Sequence, residues 1–124
     1  MLVDTSVWID YFNGYQSPQA GRLSKAIADA EPIYIPGLVL TEILLGLRTE
    51  TEAAKIAYLL EAFNFVKEPT RHDYLLAANL YRTCRTQGFT IRSTIDCLIA
   101  QFCLRDNLSL LFKDRDFQTR KRNI

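Results

Sequence analysis

Hydrophobic positions along the chain fall into short runs separated by longer stretches of helical spacing. Leu2-Val3, Ile33-Tyr34-Ile35, Phe65-Val66 and Leu108 to Phe112 are brief, apolar and rich in β-branched or aromatic residues, which predicts four short strands, the first of them buried. Thr5 or Ser6 can cap a helix through Val7-Trp8-Ile9, Tyr11 and Phe12 that Asn13-Gly14 breaks. Ala20, Leu23, Ala26, Ile27 and Ala30 recur at helical spacing over 19–30. Leu40, Ile43, Leu44 and Leu47 mark the buried stripe of the next helix. Leu38, Val39 and Leu45 make that helix apolar almost all round, which predicts packing on several sides. Thr49 or Thr51 with Glu52 opens a fourth helix, through Ala53 to Phe63. Thr70 caps a long one to about Gln87 with Gly88 at its end. Ser93 or Thr94 caps a last one through Ile95, Leu98, Ile99 and Phe102. Alternation of short apolar strands with helices predicts the α/β class with a short, mostly parallel sheet.

Composition narrows the class without changing it. The 124 residues predict a single domain, 1–124, large enough for a core. The longest apolar stretches are far too short to span a bilayer, and no basic segment precedes an apolar run at the N-terminus, so no membrane or secretory route is expected. Cys84, Cys97 and Cys103 are odd in number and lack C-x-x-C spacing. That disfavours a disulfide framework or zinc knuckle and makes a cytoplasmic setting the expectation. Cys84, Cys97 and Cys103 read as core residues, and His72, the only histidine, as a solvent-exposed neighbour of Asp73. The net charge of +1 does not advertise nucleic-acid binding. Its distribution says more: Lys113, Arg115, Arg120, Lys121 and Arg122 crowd the last twelve residues, a cluster able to neutralise phosphate, or equally a solvated terminus.

The chemistry-bearing signal is a set of lone carboxylates. Asp4 ends the first apolar run, Glu42 is the sole charge between Pro36 and Leu47, and Asp96 is the sole charge between Ser93 and Leu104. Asp114, with Asp116 two residues on, follows the last strand. Apolar flanks predict partial burial, and an unpaired buried carboxylate is costly enough to protonate. In open parallel sheets, ligands bind beyond the carboxyl ends of the strands, where Asp4 and Asp114 are expected, and the helix N-terminus bearing Asp96 faces the same edge. Convergence of the four acids around a divalent cation accounts for all of them together. Hard oxygen donors without thiolate or imidazole suit Mg²⁺ or Mn²⁺, and the reaction such a site serves is phosphodiester hydrolysis. Each acid taken alone also has a structural reading: Asp4, Asp114 or Asp116 as an N-cap, Glu42 as the partner of a buried arginine. A haloacid-dehalogenase-like phosphatase needs a second Asp where Ser6 stands, and a receiver domain needs an early acidic pair that is absent.

The opening Met1-Leu-Val-Asp-Thr-Ser-Val-Trp-Ile-Asp10 resembles that of PIN-domain ribonucleases, in particular VapC toxins of toxin–antitoxin pairs. Leu40-Thr-Glu-Ile-Leu-Leu-Gly46, Thr94-Ile-Asp-Cys-Leu-Ile-Ala100 and Leu110-Leu-Phe-Lys-Asp-Arg-Asp-Phe117 match in order and spacing, so the resemblance covers essentially the whole chain. It implies a three-layer α/β/α sandwich around a short parallel sheet. It also implies that Asp4, Glu42, Asp96 and Asp114 are the catalytic, metal-binding acids, with Asp116 a second candidate in the last motif. Ser6 matches a hydroxyl residue that supports the first acid, and Thr94 either does likewise for Asp96 or caps its helix. Relatives commonly continue after the last motif into a short helix and an edge strand. Here Gln118-Thr-Arg-Lys-Arg-Asn leads to Ile124 with no apolar strand, so the last edge strand is expected to be missing. The implied function is a Mg²⁺- or Mn²⁺-dependent endoribonuclease toxin that cuts RNA, often transfer RNA, and forms a homodimer. The implied partner is a VapB-like antitoxin that blocks the acidic site, for which Trp8, Tyr11, Phe12, Leu45 and Leu47 are candidate surfaces as well as candidate core. The rival expectation is a catalytically inactive PIN domain serving as an RNA- or protein-binding scaffold.

Overall fold

Leu2 and Val3 sit at the centre of the molecule's sheet, and everything around the site follows from that placement. In the computed structural model, which describes residues 1–86 and 93–113, these two residues form β1 (Leu2–Val3) and are fully buried. β1 pairs in parallel with β2 (Tyr34–Ile35) on one side and β4 (Leu110–Leu111) on the other; β3 (Asn64–Phe65) pairs in parallel with β2. The order is β3-β2-β1-β4. The register sets Leu2 beside both Tyr34 and Leu110, and Val3 beside Leu111. The ladder runs through Leu2 N–H to Ser109 O (2.8 Å), Asp4 N–H to Leu111 O (2.9 Å) and Tyr34 N–H to Met1 O (2.9 Å). All four expected strands are present, each ordered as a two-residue ladder, and the α/β class with a short parallel sheet stands.

The chain divides into two compact units, Met1–Lys67 with Ser109–Lys113, and Glu68–Leu108. In the first, α1 (Thr5–Asn13) ends at Gly14, whose φ of 71° is the left-handed cap that glycine adopts without a Cβ penalty. α2 (Pro18–Ala28) begins with Ser17 accepting the Ala20 N–H and with proline in its first turn. α3 (Gly37–Leu45) follows Pro36, and α4 (Glu50–Leu60) is capped by Thr49 accepting the Glu52 N–H. Trp8 is the anchor of the unit. It is fully buried and lies against Phe12 (5.8 Å, stacked), Phe63 (5.1 Å, edge-on) and Tyr11 (6.2 Å, edge-on). Its indole N–H has no partner among the described residues, a cost of about 1–3 kcal/mol carried by the aromatic packing.

The apolar composition of α3 predicted packing on several sides, and the structure corrects this. Only Val39 and Ile43 are buried; Leu40, Leu44 and Leu47 are intermediate, and Leu45 is 79% exposed. Composition cannot say which faces of a helix find a neighbour.

The second unit is a pair of packed helices, α5 (Arg71–Thr86) and α6 (Thr94–Asp106). Thr70 and Asp73 cap α5 reciprocally: Asp73 accepts the Thr70 N–H (2.9 Å) and the Thr70 hydroxyl accepts the Asp73 N–H (3.3 Å). α6 is capped by Ser93 and ends at Asn107, in the left-handed conformation at φ 53°. Gln87 and Gly88, expected at the end of α5, lie outside the described residues, as does the segment after Lys113 where the last edge strand was expected to be missing. Among the described residues no helix is long and apolar enough to cross a membrane.

Candidate functional site

β1 delivers Asp4 to the carboxyl edge of the sheet, and α1 begins in the next residue. Asp4 occupies the N-cap position of α1 (φ −70°, ψ 156°), yet its side chain makes no capping hydrogen bond. The carboxylate instead receives the Ser6 hydroxyl, Oγ to Oδ2 at 2.8 Å. Thr5, between them, donates its hydroxyl to Glu42 Oε1 at 2.7 Å. Glu42 stands in the second turn of α3, between Thr41 and buried Ile43, and is itself half-buried like Asp4. Three consecutive residues, Asp4-Thr5-Ser6, thus join the end of β1 to an acid 37 residues further along the chain from Thr5. Neither Thr5 nor Ser6 caps the helix, as the sequence suggested; both hydroxyls go to carboxylates. Asp4 Oδ1 and Glu42 Oε2 meet no protein donor among the described residues. Each of the two carboxylates is thus held at one oxygen by a neutral hydroxyl.

Of the remaining expected acids, Asp96 belongs to the second unit and is exposed, where its apolar flanks predicted partial burial. Helical periodicity explains the difference: Cys97, Leu98 and Ile99 take the buried side of α6 and turn Asp96 outward. Its N–H is taken by the Ser93 hydroxyl at 3.1 Å, so Ser93 is the cap and Thr94 is the first helical residue. Asp114, Asp116, Arg115, Arg120, Lys121 and Arg122 lie outside the described residues. Among the described residues no three His, Cys, Asp or Glu side chains form a group that could hold a metal ion.

Lys113, grouped with the basic tail in the sequence reading, is engaged internally. Its ammonium pairs with Asp10 Oδ2 at 2.7 Å and lies 5.2 Å from the centre of the Tyr15 ring. Both partners of the ion pair are largely buried, at 20% and 13% side-chain exposure, so this lysine is committed to α1 rather than offered to phosphate. The pair ties the exit of β4 to α1. Asp10 and Lys113 are far apart in sequence, and nothing local to either announces the contact.

Asp73 is the other acid that sequence reasoning passed over. It is 3% exposed and accepts from the Thr70 N–H, from Gln101 Nε2 (3.2 Å) and from Arg105 Nη1 (2.8 Å). Chiefly the Thr70 N–H, with Gln101 and Arg105 adding to it and burial opposing, holds its carboxyl down to about 2 from 3.8. Arg105 is in turn held protonated, foremost by Asp106 and also by Asp73, and lies 5.2 Å over the Phe102 ring. A T-x-x-D cap at 70–73 and the four-residue spacing of Gln101 and Arg105 were the available signals. His72 is exposed, as expected. Cys97 is buried, and burial first, then the charge of Asp96, pushes its thiol up. It behaves as a small core residue and not as a nucleophile.

Comparison with known proteins matches the chain to a family. The pattern described as "PIN domain" matches residues 1–123. "VapC ribonuclease Mb1587" of Mycobacterium bovis and "Ribonuclease VapC11" of Mycobacterium tuberculosis are each 30% identical over 118 residues, covering 94% of this chain and 88% of theirs. Among solved structures, VapBC2 from Rickettsia felis, bound to a DNA fragment from their promoter, superposes with a TM-score of 0.71 at 18% identity, over 95% of this chain and 90% of that one. A toxin–antitoxin complex from Klebsiella pneumoniae gives 0.69 at 19% identity, over 94% and 88%. At such identities these last two speak for the fold.

Proposed function

The chain belongs to the PIN-domain family, and from that premise we propose that it is a Mg²⁺- or Mn²⁺-dependent endoribonuclease, the toxin of a toxin–antitoxin pair. Its full-length likeness to curated VapC ribonucleases supports the nuclease class. The observation that carries the metal-dependent reading is the Asp4-Thr5-Ser6/Glu42 arrangement, in which two hard carboxylates are oriented by hydroxyls and matched by no protein cation among the described residues. That donor set fits Mg²⁺ or Mn²⁺. A bound divalent ion supplies charge stabilisation at the phosphate and an attacking water activated at neutral pH. Asp4 and Glu42 bind it, Ser6 and Thr5 hold their carboxylates in the binding orientation, and Asp96 and Asp114 complete the set, with Asp116 as the alternate to Asp114. The basic residues Arg115, Arg120, Lys121 and Arg122 neutralise substrate phosphates. The substrate is RNA, transfer RNA or another structured RNA.

The uninterrupted family match supports reading the chain as one PIN domain. Solved neighbours of the same fold are toxin–antitoxin complexes, which supports a VapB-like antitoxin partner. The toxin itself we read as a cytoplasmic homodimer. A basic side chain of the antitoxin placed among the carboxylates replaces the ion's charge and silences the site.

The test is cleavage of transfer RNA by the purified chain, with Mg²⁺, with Mn²⁺ and with chelator. Cleavage requires the ion, and Asp4→Asn or Glu42→Gln lowers it by more than about 100-fold, beyond the cost of losing a supporting partner, in a protein that still folds. Ion-independent cleavage, or full activity in Asp4→Asn, overturns the assignment.

A further inference from the structure

We propose that the cleft between α5 and the start of α6 seats an unpaired nucleobase of the RNA substrate, a subsite that rests on the ribonuclease reading above. The cleft has a volume of about 460 Å³ and lies wholly within the second unit, in the range of small-ligand sites. Tyr74 and Tyr81 line it from α5. Seven residues apart, two helical turns, they share one side of that helix. Between them Ala77 contributes only a methyl group, which is why the cleft opens there.

Two properties of these tyrosines set them apart from packing residues. They are 52% and 37% exposed, so much of each ring is unused by the fold. Neither ring stacks on another aromatic side chain, and neither phenol has a hydrogen-bond partner, among the described residues. Rigid aromatic faces with free polar ends are what single-stranded RNA recognition uses: bases splay out and stack on them, while backbone cations hold the phosphates.

Charge selects the occupant. The only acid of α5, Asp73, is buried against Arg105, so the exposed charges of this helix are Arg71, Arg82 and Arg85, all basic. Arg82 lines the cleft itself. An anionic polymer with flat aromatic groups satisfies both features; an apolar peptide satisfies one. At the other wall stand the hydroxyls of Ser93 and Thr94, available to base edges or a ribose. Ser93 Oγ also holds the Asp96 N–H, so the cleft's rim runs into the segment that bears one of the expected ion-binding acids.

The test uses the full chain in chelator, where no cleavage is expected, and a single-stranded oligoribonucleotide of about ten nucleotides carrying 5-iodouridine. Photocrosslinking of the wild-type protein should attach the RNA at Tyr74 or Tyr81. Tyr74→Ala and Tyr81→Ala should each weaken binding on the order of tenfold while leaving the salt dependence of affinity unchanged, because no phosphate contact is lost. Tyr81→Phe should restore binding, and Arg82→Gln should flatten the salt dependence. Crosslinks confined to other residues, with wild-type affinity in both alanine variants, would overturn the subsite. So would alanine variants that keep RNA affinity but lose a protein partner, since the cleft would then be a protein-docking surface. Neither result touches the ion-dependent cleavage assay, which tests the nuclease reading separately. A wild-type chain that neither binds nor cuts RNA sinks that reading, and this subsite with it.

Discussion

Asp73 in the second unit and the Asp4–Glu42 pair in the first are acids held in opposite ways. Asp73 is the deeper, and a cation, an amide and a backbone N–H surround it. Asp4 and Glu42 are only half-buried, and each leans on a single neutral hydroxyl. Under the proposed function it is partner charge, rather than depth, that separates these acids. A carboxylate matched by arginine is neutralised where it stands and ties elements together. A carboxylate matched by a hydroxyl is oriented without being neutralised, and stays available to an ion. Asp10, paired with Lys113, is of the first kind.

The contrast breaks most visibly at Asp73. Asp73→Ala leaves Arg105 and Gln101 facing a vacant, buried position and should cost about 3–5 kcal/mol in chemical denaturation, whereas Asp4→Asn should stay within about 1 kcal/mol of wild type. Equal losses in the two variants would show that both acids are structural. Next comes Thr5→Val, which preserves shape and deletes the donor to Glu42. It should lower ion affinity and RNA cleavage by about 10- to 100-fold, as loss of a supporting hydrogen bond does, with little change in stability. Unaltered cleavage in Thr5→Val would make the contact incidental. The smallest effect is on acid stability. Because the folded-state carboxyl of Asp73 is depressed to about 2 from 3.8, its stabilisation is complete above the unfolded value and fades as pH falls from about 4 towards 2. Asp73→Asn should flatten the stability profile over that interval; an identical slope in the variant would mean the depressed carboxyl does not contribute.

Much of the fold was legible because the signals are local. Leu2-Val3 and Ile33-Tyr34-Ile35 are strands because they are short apolar runs bounded by breakers, and Thr49, Thr70 and Ser93 cap helices because a hydroxyl three residues ahead of an N–H is in reach. Asp4 was legible as the acid ending the first strand, and Ser6 as its hydroxyl neighbour. The misjudged positions share one cause. Leu45 and Asp96 were placed by the polarity of their flanks, yet which side of a helix is covered depends on elements distant in the chain, and both face solvent.

What the order of residues determined by itself was therefore the succession of strands and helices, the parallel sheet, and a short roster of acids, since these rest on periodicities and caps that act over a few residues. Which acids meet a cation and which meet only a hydroxyl was decided by tertiary structure. Thr5 reaches Glu42, and Lys113 reaches Asp10, only because β1 lies between β2 and β4, carrying α1 and the exit of β4 to the same end of the sheet. Electrostatic partnership depends on separations of about 3 Å, and chain positions that remote acquire such separations only through folding.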